Sequence, residues 1–202
     1  MGRTAIVDYG VGNLHSIANA MKYIGLNTLV TGDAQELERA DAIILPGVGA
    51  FPDAANKLRD TRLDSVLRVQ SAHKPILGIC LGMQLLFNGS DEVRPTKGLG
   101  LVPGWVDRIE TKCKLPHIGW NSLSFANDSP LFKGLNDGVY VYFVHSFCGL
   151  VQRPEHVTAR TDYGASVIAA VGRGNVFGCQ FHPEKRGEVG LQILRNFGAL
   201  NK

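Results

Sequence analysis

Three short strings of the chain hold groups that could do covalent chemistry. Gly78-Ile79-Cys80-Leu81-Gly82 lies where an apolar run, residues 75–79, gives way to helix formers at 83–87. It has the form of the nucleophile elbow G-x-S-x-G, with sulfur in place of oxygen. A strand that turns at once into a helix forces its central residue into a strained backbone conformation. The chain on either side must then approach so closely that only residues without Cβ fit. A helix N-terminus beside the sulfur offers unpaired N–H groups and a positive dipole end, and both favour the thiolate. The elbow alone leaves two readings open, a nucleophile and a buried structural cysteine.

A second string supplies what a nucleophilic cysteine lacks. His182-Pro183-Glu184 stops the apolar run 176–181. The imidazole can take the thiol proton and return it to a leaving amine, while the carboxylate fixes its tautomer and stabilises the imidazolium. A His near a Glu is more often a surface pair, but here it follows an apolar strand in a chain that also carries the elbow. The third string is Pro46-Gly47-Val48-Gly49. Its glycines let backbone N–H groups turn toward a tetrahedral intermediate; read alone, it is a simple turn. An acyl-transferring cysteine enzyme accounts for all three.

These strings must be brought together by the elements that carry them. Strand-like runs at 5–7, 28–30, 42–45 and 75–79 alternate with helix-like stretches at 14–24, 34–40 and 53–71. Gly25 is placed to stop the first helix. Runs that are apolar throughout indicate a parallel sheet covered on both faces. From Gly98 the pattern becomes β-rich, with strands at 105–109, 139–144, 166–171 and 176–181, before a last helix at 188–200. The expected fold is α/β: an open, mostly parallel sheet with helices on both faces and antiparallel strands added in the second half. One domain, 1–202, is expected. Sheets of this kind place their sites at the carboxyl ends of the strands, where all three strings fall. Gly10-Val11-Gly12 lacks the rest of a dinucleotide fingerprint or a P-loop, so it carries no phosphate-binding expectation.

Bulk properties narrow the classes further. The net charge is +3 with no Lys/Arg run, so no nucleic-acid or membrane partner is expected. The four cysteines are scattered without a C-x-x-C pair, which argues against a zinc site and a disulfide scaffold. The N-terminus does not read as a signal peptide, no window reaches the length of a membrane span, and a cytoplasmic location is expected. His15, His73 and His156 lie in polar stretches and are expected to be exposed. Cys113, Cys148 and Cys179 have no paired base, and Cys179 is expected in the core. Tyr140, Tyr142 and Phe143 read as sheet packing. Trp120, in what reads as a Pro/Gly-flanked turn at 117–121, is costly unless covered, and Trp is a common interface anchor.

Longer strings carry a resemblance. PGVG (46–49), GICLGMQLLF (78–87) and QFHPEK (180–185) together resemble the class I, or triad, glutamine amidotransferases over essentially the whole chain. Within that group DYGVGNL (8–14), LPHIGWN (115–121), YFVHS (142–146) and HPEK (182–185) resemble the glutaminase subunits of imidazole glycerol phosphate synthases, in histidine biosynthesis. Arg186 departs from the pattern, where a small polar residue is common; it bears on a rim contact and leaves the triad intact.

The resemblance implies hydrolysis of L-glutamine to glutamate and ammonia, with Cys80 as nucleophile, His182 as base and acid, and Glu184 orienting it. It implies an oxyanion hole from the N–H groups of Gly49 and Leu81, with Val48 the peptide that has to turn. Gly47, Gln84 and Glu92 would bind the substrate, the last two at its polar and amino groups, with Asp91 the alternative to Glu92. Backbone at Ser146 and Phe147 would hold the carboxylate. The implied partner is the cyclase (synthase) subunit in a heterodimer, met by Asn13, Trp120, Asn121, Tyr142 and Lys185. No metal or organic cofactor is implied. Two rivals stand beside this reading: a self-sufficient cysteine hydrolase, and an interaction module that kept the fold and lost the chemistry.

Overall fold

A computed structural model describes residues 2–185 and 187–200 of the chain. Its first half runs β1 (Thr4–Val7), α1 (Leu14–Tyr23), β2 (Thr28–Thr31), α2 (Ala34–Arg39), β3 (Ala42–Leu45), α3 (Phe51–Asp60), α4 (Leu63–Gln70), β4 (Ile76–Ile79) and α5 (Leu81–Leu85). The second half runs β5 (Gly89–Ser90), β6 (Thr96–Lys97), β7 (Gly104–Arg108), β8 (His117–Ser122), β9 (Ser124–Phe125), β10 (Tyr140–His145) and β11 (Phe147–Val151). It closes with β12 (Val157–Asp162), β13 (Ser166–Arg173), β14 (Val176–Cys179) and α6 (Glu188–Gly198).

The main sheet has eight strands in the order β2-β1-β3-β4-β14-β13-β12-β9. Pairing is parallel from β2 through β14 and antiparallel from there to β9. β1, β3, β4 and β14 are buried at every position, because helices cover both faces. Alternation along the strands divides the core in two. Ala5, Val7, Ile43 and Leu45 pack with Leu58 of α3 and Leu63 and Leu67 of α4. Ile6, Ile44, Leu77 and Ile79 pack with Ile17 and Met21 of α1 and Ile193, Leu194 and Phe197 of α6.

The antiparallel additions do not all join this sheet. β11-β7-β5-β6 form a separate four-stranded sheet, and β8 pairs only with β10 in a two-stranded ribbon. The β4 and β14 strands lie side by side, so the two strings that follow them, the Cys80 elbow and His182-Pro183-Glu184, emerge together.

Three local expectations are corrected. The single helix over 53–71 is two helices, because Arg62 takes a left-handed conformation at φ 59°. The Thr61 hydroxyl donates to the carbonyls of Lys57 and Leu58, drawing the last turn of α3 closed just ahead of that break. The segment 117–121 is strand and not turn: β8 pairs with β10 through six residues, Trp120 facing Tyr142 and Ile118 facing Val144. His156 is buried in a one-turn 3-10 segment, whereas His15 and His73 are exposed. Arg186 lies outside the described residues. Among those residues no helix is long and apolar enough to cross a membrane.

Candidate active site

Cys80 is the hinge of the strand-to-helix turn. Its backbone sits at φ 54° and ψ −114°, a combination that residues with a Cβ rarely adopt. The neighbours on either side make the conformation possible. A Cβ at Gly82 would run into the carbonyl oxygen of Leu45 in β3, and one at Gly78 would come within 2.6 Å of the Gly82 oxygen. The Cys80 N–H donates to the Cys179 carbonyl at 2.8 Å, which ties the elbow to β14.

His182 lies three residues beyond β14, and its N–H donates to the Tyr142 carbonyl at 3.0 Å. Its Nδ1 lies 2.8 Å from Glu184 Oε1, and both side chains are buried. Since the carboxylate only accepts, Nδ1 carries the proton and Nε2 is the atom left to exchange one. Nε2 is buried without a hydrogen-bond partner in this resting geometry. Burial lowers the imidazole pKa, but the Cys80 sulfur and the Glu184 carboxylate beside it outweigh this and hold the pKa at about 10. A proton therefore resides on the ring at neutral pH, beside the sulfur.

Cys80 and His182 line one cavity of about 420 Å³ with Val48, Gly49, Leu81, Gln84, Glu92, Ser146 and Phe147. Nine residues singled out in the sequence thus meet at one place. The N–H groups of Gly49, Leu81 and Ser146 make no hydrogen bond among the described residues, so three backbone donors are free. Gly49 has φ +91°, which only glycine adopts without strain. Gly47 is not in the cavity wall; its place is packed against Leu81 and Gly82, where a Cβ would come within 2.8 Å of the Gly82 nitrogen. Glu92, not Asp91, faces the cavity. Its Oε2 accepts from the Phe51 N–H at 2.8 Å, whereas the Asp91 carboxylate turns away to the Trp105 indole at 2.9 Å.

The model of the class-I glutamine amidotransferase family matches residues 5–199. The chain belongs to that family. Full-length relatives agree with the assignment. The amidotransferase is 50% identical over 195 residues to the imidazole glycerol phosphate synthase subunit HisH of Bacillus cereus, covering 96% of this chain and 92% of that protein. It is 48% identical over 198 residues to the subunit of the same name from Caldanaerobacter subterraneus, covering 98% of each. Among solved structures, PurLQS from Thermotoga maritima superposes with a TM-score of 0.73 over 98% of both chains at 23% identity, a likeness of fold.

The amidotransferase carries an exposed apolar face next to this cavity. On the ribbon, strand alternation puts Ile118, Trp120, Tyr140, Tyr142 and Val144 on one side, and Trp120 stays 54% exposed. The Trp120 ring meets Tyr142 edge-on, and the Lys185 ammonium sits 5.9 Å above the Tyr142 ring. Asn121 was expected on the same surface and is turned to the other side, where its Nδ2 donates to the Asp162 carbonyl at 2.7 Å. Asn13 accepts the first helical N–H of α1, from Ile17, and among the described residues no hydrogen bond joins it to the aromatic face.

Several residues of the site escaped the sequence reading. The buried Tyr9 hydroxyl donates to the Pro46 carbonyl at 2.8 Å and pins the start of the 46–49 loop. On the inner side of the ribbon His117 Nδ1 lies 3.2 Å from His145 Nε2, and His145 Nδ1 lies 2.8 Å from the Phe147 carbonyl. That carbonyl only accepts, so His145 is protonated at Nδ1 and His117 donates to it. Burial lowers the His145 pKa to about 4, so this pair is neutral. Gln180, fully buried beside Cys80, was counted as part of an apolar strand. The available signal is an amide set alone among apolar residues, two positions before His182.

Proposed function

We propose that this chain is the glutaminase subunit of an imidazole glycerol phosphate synthase, a single amidotransferase domain that feeds ammonia to a cyclase subunit in a cytoplasmic heterodimer. The observation that carries the chemistry is the convergence of the Cys80 sulfur, the His182–Glu184 pair and free backbone donors in one cavity. The Cys80 thiolate attacks the side-chain amide carbon of L-glutamine. Charge developing on the carbonyl oxygen is met by the Gly49 and Leu81 N–H groups. His182 gives its proton to the leaving nitrogen, ammonia departs, and a thioester remains on Cys80. His182 then takes a proton from water as it attacks the thioester, and glutamate leaves.

Gln84 and Glu92 are suited to the polar and amino groups of the substrate, and the Ser146 N–H to its carboxylate. Both Gln84 Nε2 hydrogens are already used, on the Phe147 carbonyl and Gln180 Oε1, so Gln84 receives the substrate through its oxygen. Similarity to the two HisH relatives along their full length supports the partner. Trp120, Tyr142 and Lys185 form the docking face, and ammonia leaves the cavity beside it. The cyclase then builds imidazole glycerol phosphate and releases an aminoimidazole carboxamide ribotide. Co-purification with the cyclase and a glutaminase assay with and without it test the reading. Full turnover of the chain alone, on amides lacking the α-amino and carboxylate groups, would instead favour the self-sufficient hydrolase.

A further inference from the structure

We propose that Gln180 is a further catalytic residue of this amidotransferase, donating a hydrogen bond from Nε2 to the Cys80 sulfur and so favouring the thiolate. This rests on the reading of Cys80 as nucleophile. Gln180 Nε2 lies 3.7 Å from Cys80 Sγ, an ordinary length for a donor to the larger sulfur atom. Gln180 is fully buried, so water does not compete for this amide.

The direction of the bond follows from its neighbours. A backbone carbonyl can only accept, so the Gln84 group 3.0 Å from the Phe147 oxygen is its NH₂. The same Gln84 nitrogen lies 3.0 Å from the Gln180 side chain, which must therefore present its oxygen there. With Oε1 committed, the Gln180 NH₂ is the end that meets the sulfur. Turning the amide over would set two donors against each other at Gln84 and an oxygen against a thiolate. Both contacts would then repel.

A donor without accepting capacity favours the charged form of its partner. His182 Nε2 has no partner in hydrogen-bonding geometry at rest, whereas the Gln180 amide does reach the sulfur. In this arrangement the proton that leaves Cys80 goes to His182, and Gln180 stabilises the sulfur anion that is left. Gln180 also holds the Gln84 amide that receives the substrate, so its effect on the sulfur is isolated by a readout taken without glutamine.

The decisive measurement is the pH dependence of Cys80 alkylation by iodoacetamide in the full chain, read by peptide mapping so that the other three cysteines are scored separately. Gln180→Met keeps the bulk and removes the donor; Gln180→Asn keeps an amide too short to reach. In both, the alkylation midpoint should move up by about one pH unit, the effect of losing one charge-assisted hydrogen bond. The kcat for glutamine should fall as well, by up to about tenfold at pH values below the new midpoint. A lower melting temperature with an unmoved midpoint would overturn the proposal and leave Gln180 a packing residue. A second readout uses the unaltered chain, so it holds even if both variants misfold. The Gln180 side-chain amide resonance should shift as Cys80 ionises, and a static resonance would overturn the proposal. Loss of the glutaminase reading itself would show differently, as glutamine hydrolysis that survives Cys80→Ser, while the alkylation profile still reports on Gln180.

Discussion

Cys80 is held in its strained conformation by glycines on both sides, and that strain aims the sulfur into the cavity instead of the core. Cys80→Ser should abolish glutamine hydrolysis while leaving the fold and partner binding intact, because a hydroxyl is a far weaker nucleophile at neutral pH. The mutant complex should still make product from added ammonium salts; full glutamine-dependent turnover would remove Cys80 from the mechanism. At His182, with a pKa held at about 10, the ring keeps the proton that the leaving ammonia needs until the solution is strongly alkaline. The kcat/KM of the complex should therefore fall as pH rises through about 10. Glu184→Gln removes one of the charges that hold the pKa up, so the alkaline limb should move to lower pH. A limb that stays in place would take Glu184 out of that role.

At the scale of elements, the site depends on how closely α5, β3 and β4 can approach. Gly82→Ala would drive a Cβ into the Leu45 carbonyl of β3, and backbone on both sides leaves little room to yield. A loss of about 3 kcal/mol or more is expected by urea denaturation; a stability near that of the unaltered chain would show that the elbow has slack. The ribbon carries a pH signature on its inner side. Between about 6.5, the ordinary histidine value, and about 4, the unfolded chain binds a proton at His145 that the folded chain refuses. Acid therefore favours unfolding across that window, by an amount on the order of 3 kcal/mol when it is complete, and stability is full above it. His145→Gln should flatten the acid slope of a thermal melt, and an unchanged slope would place the sensitivity elsewhere.

For the whole molecule, the proposed docking face and the cavity share the β10–β11 segment, and Lys185 follows Glu184 directly. Trp120→Ala should weaken the complex with the cyclase by about 2 kcal/mol or more, measured by calorimetry, because Trp120 offers the largest exposed ring on that face. Unchanged affinity would return it to self-packing against Tyr142. Glutamine turnover by the isolated chain should be roughly 100- to 1000-fold below that of the complex with a ligand-loaded cyclase if partner binding is what turns the Gly49 N–H toward the sulfur, the effect of gaining one oxyanion donor. The loop that would supply the donor is pinned at Pro46 by Tyr9, while Val48 is 44% exposed and flanked by glycines. Equal turnover of the chain, the complex and the ligand-loaded complex would exclude such gating.

The sequence by itself determined which groups end the strands, because apolar runs, glycine spacing and proline stops are local and survive without knowledge of the neighbours. The alternation of elements, the elbow at Cys80 and the His182–Glu184 pair were legible for that reason. Tertiary structure decided everything that depends on strand order and facing. Only the pairing of β4 with β14 brings Cys80 beside His182, residues about a hundred positions apart in the chain. Only the ribbon register separates Trp120 from Asn121, since a strand sends adjacent side chains to opposite faces. The choice of Glu92 over Asp91 and the break at Arg62 were illegible because each is set by what lies across the fold. The chain of amides from Phe147 through Gln84 and Gln180 to the sulfur joins three separate segments, and no spacing along the sequence encodes it.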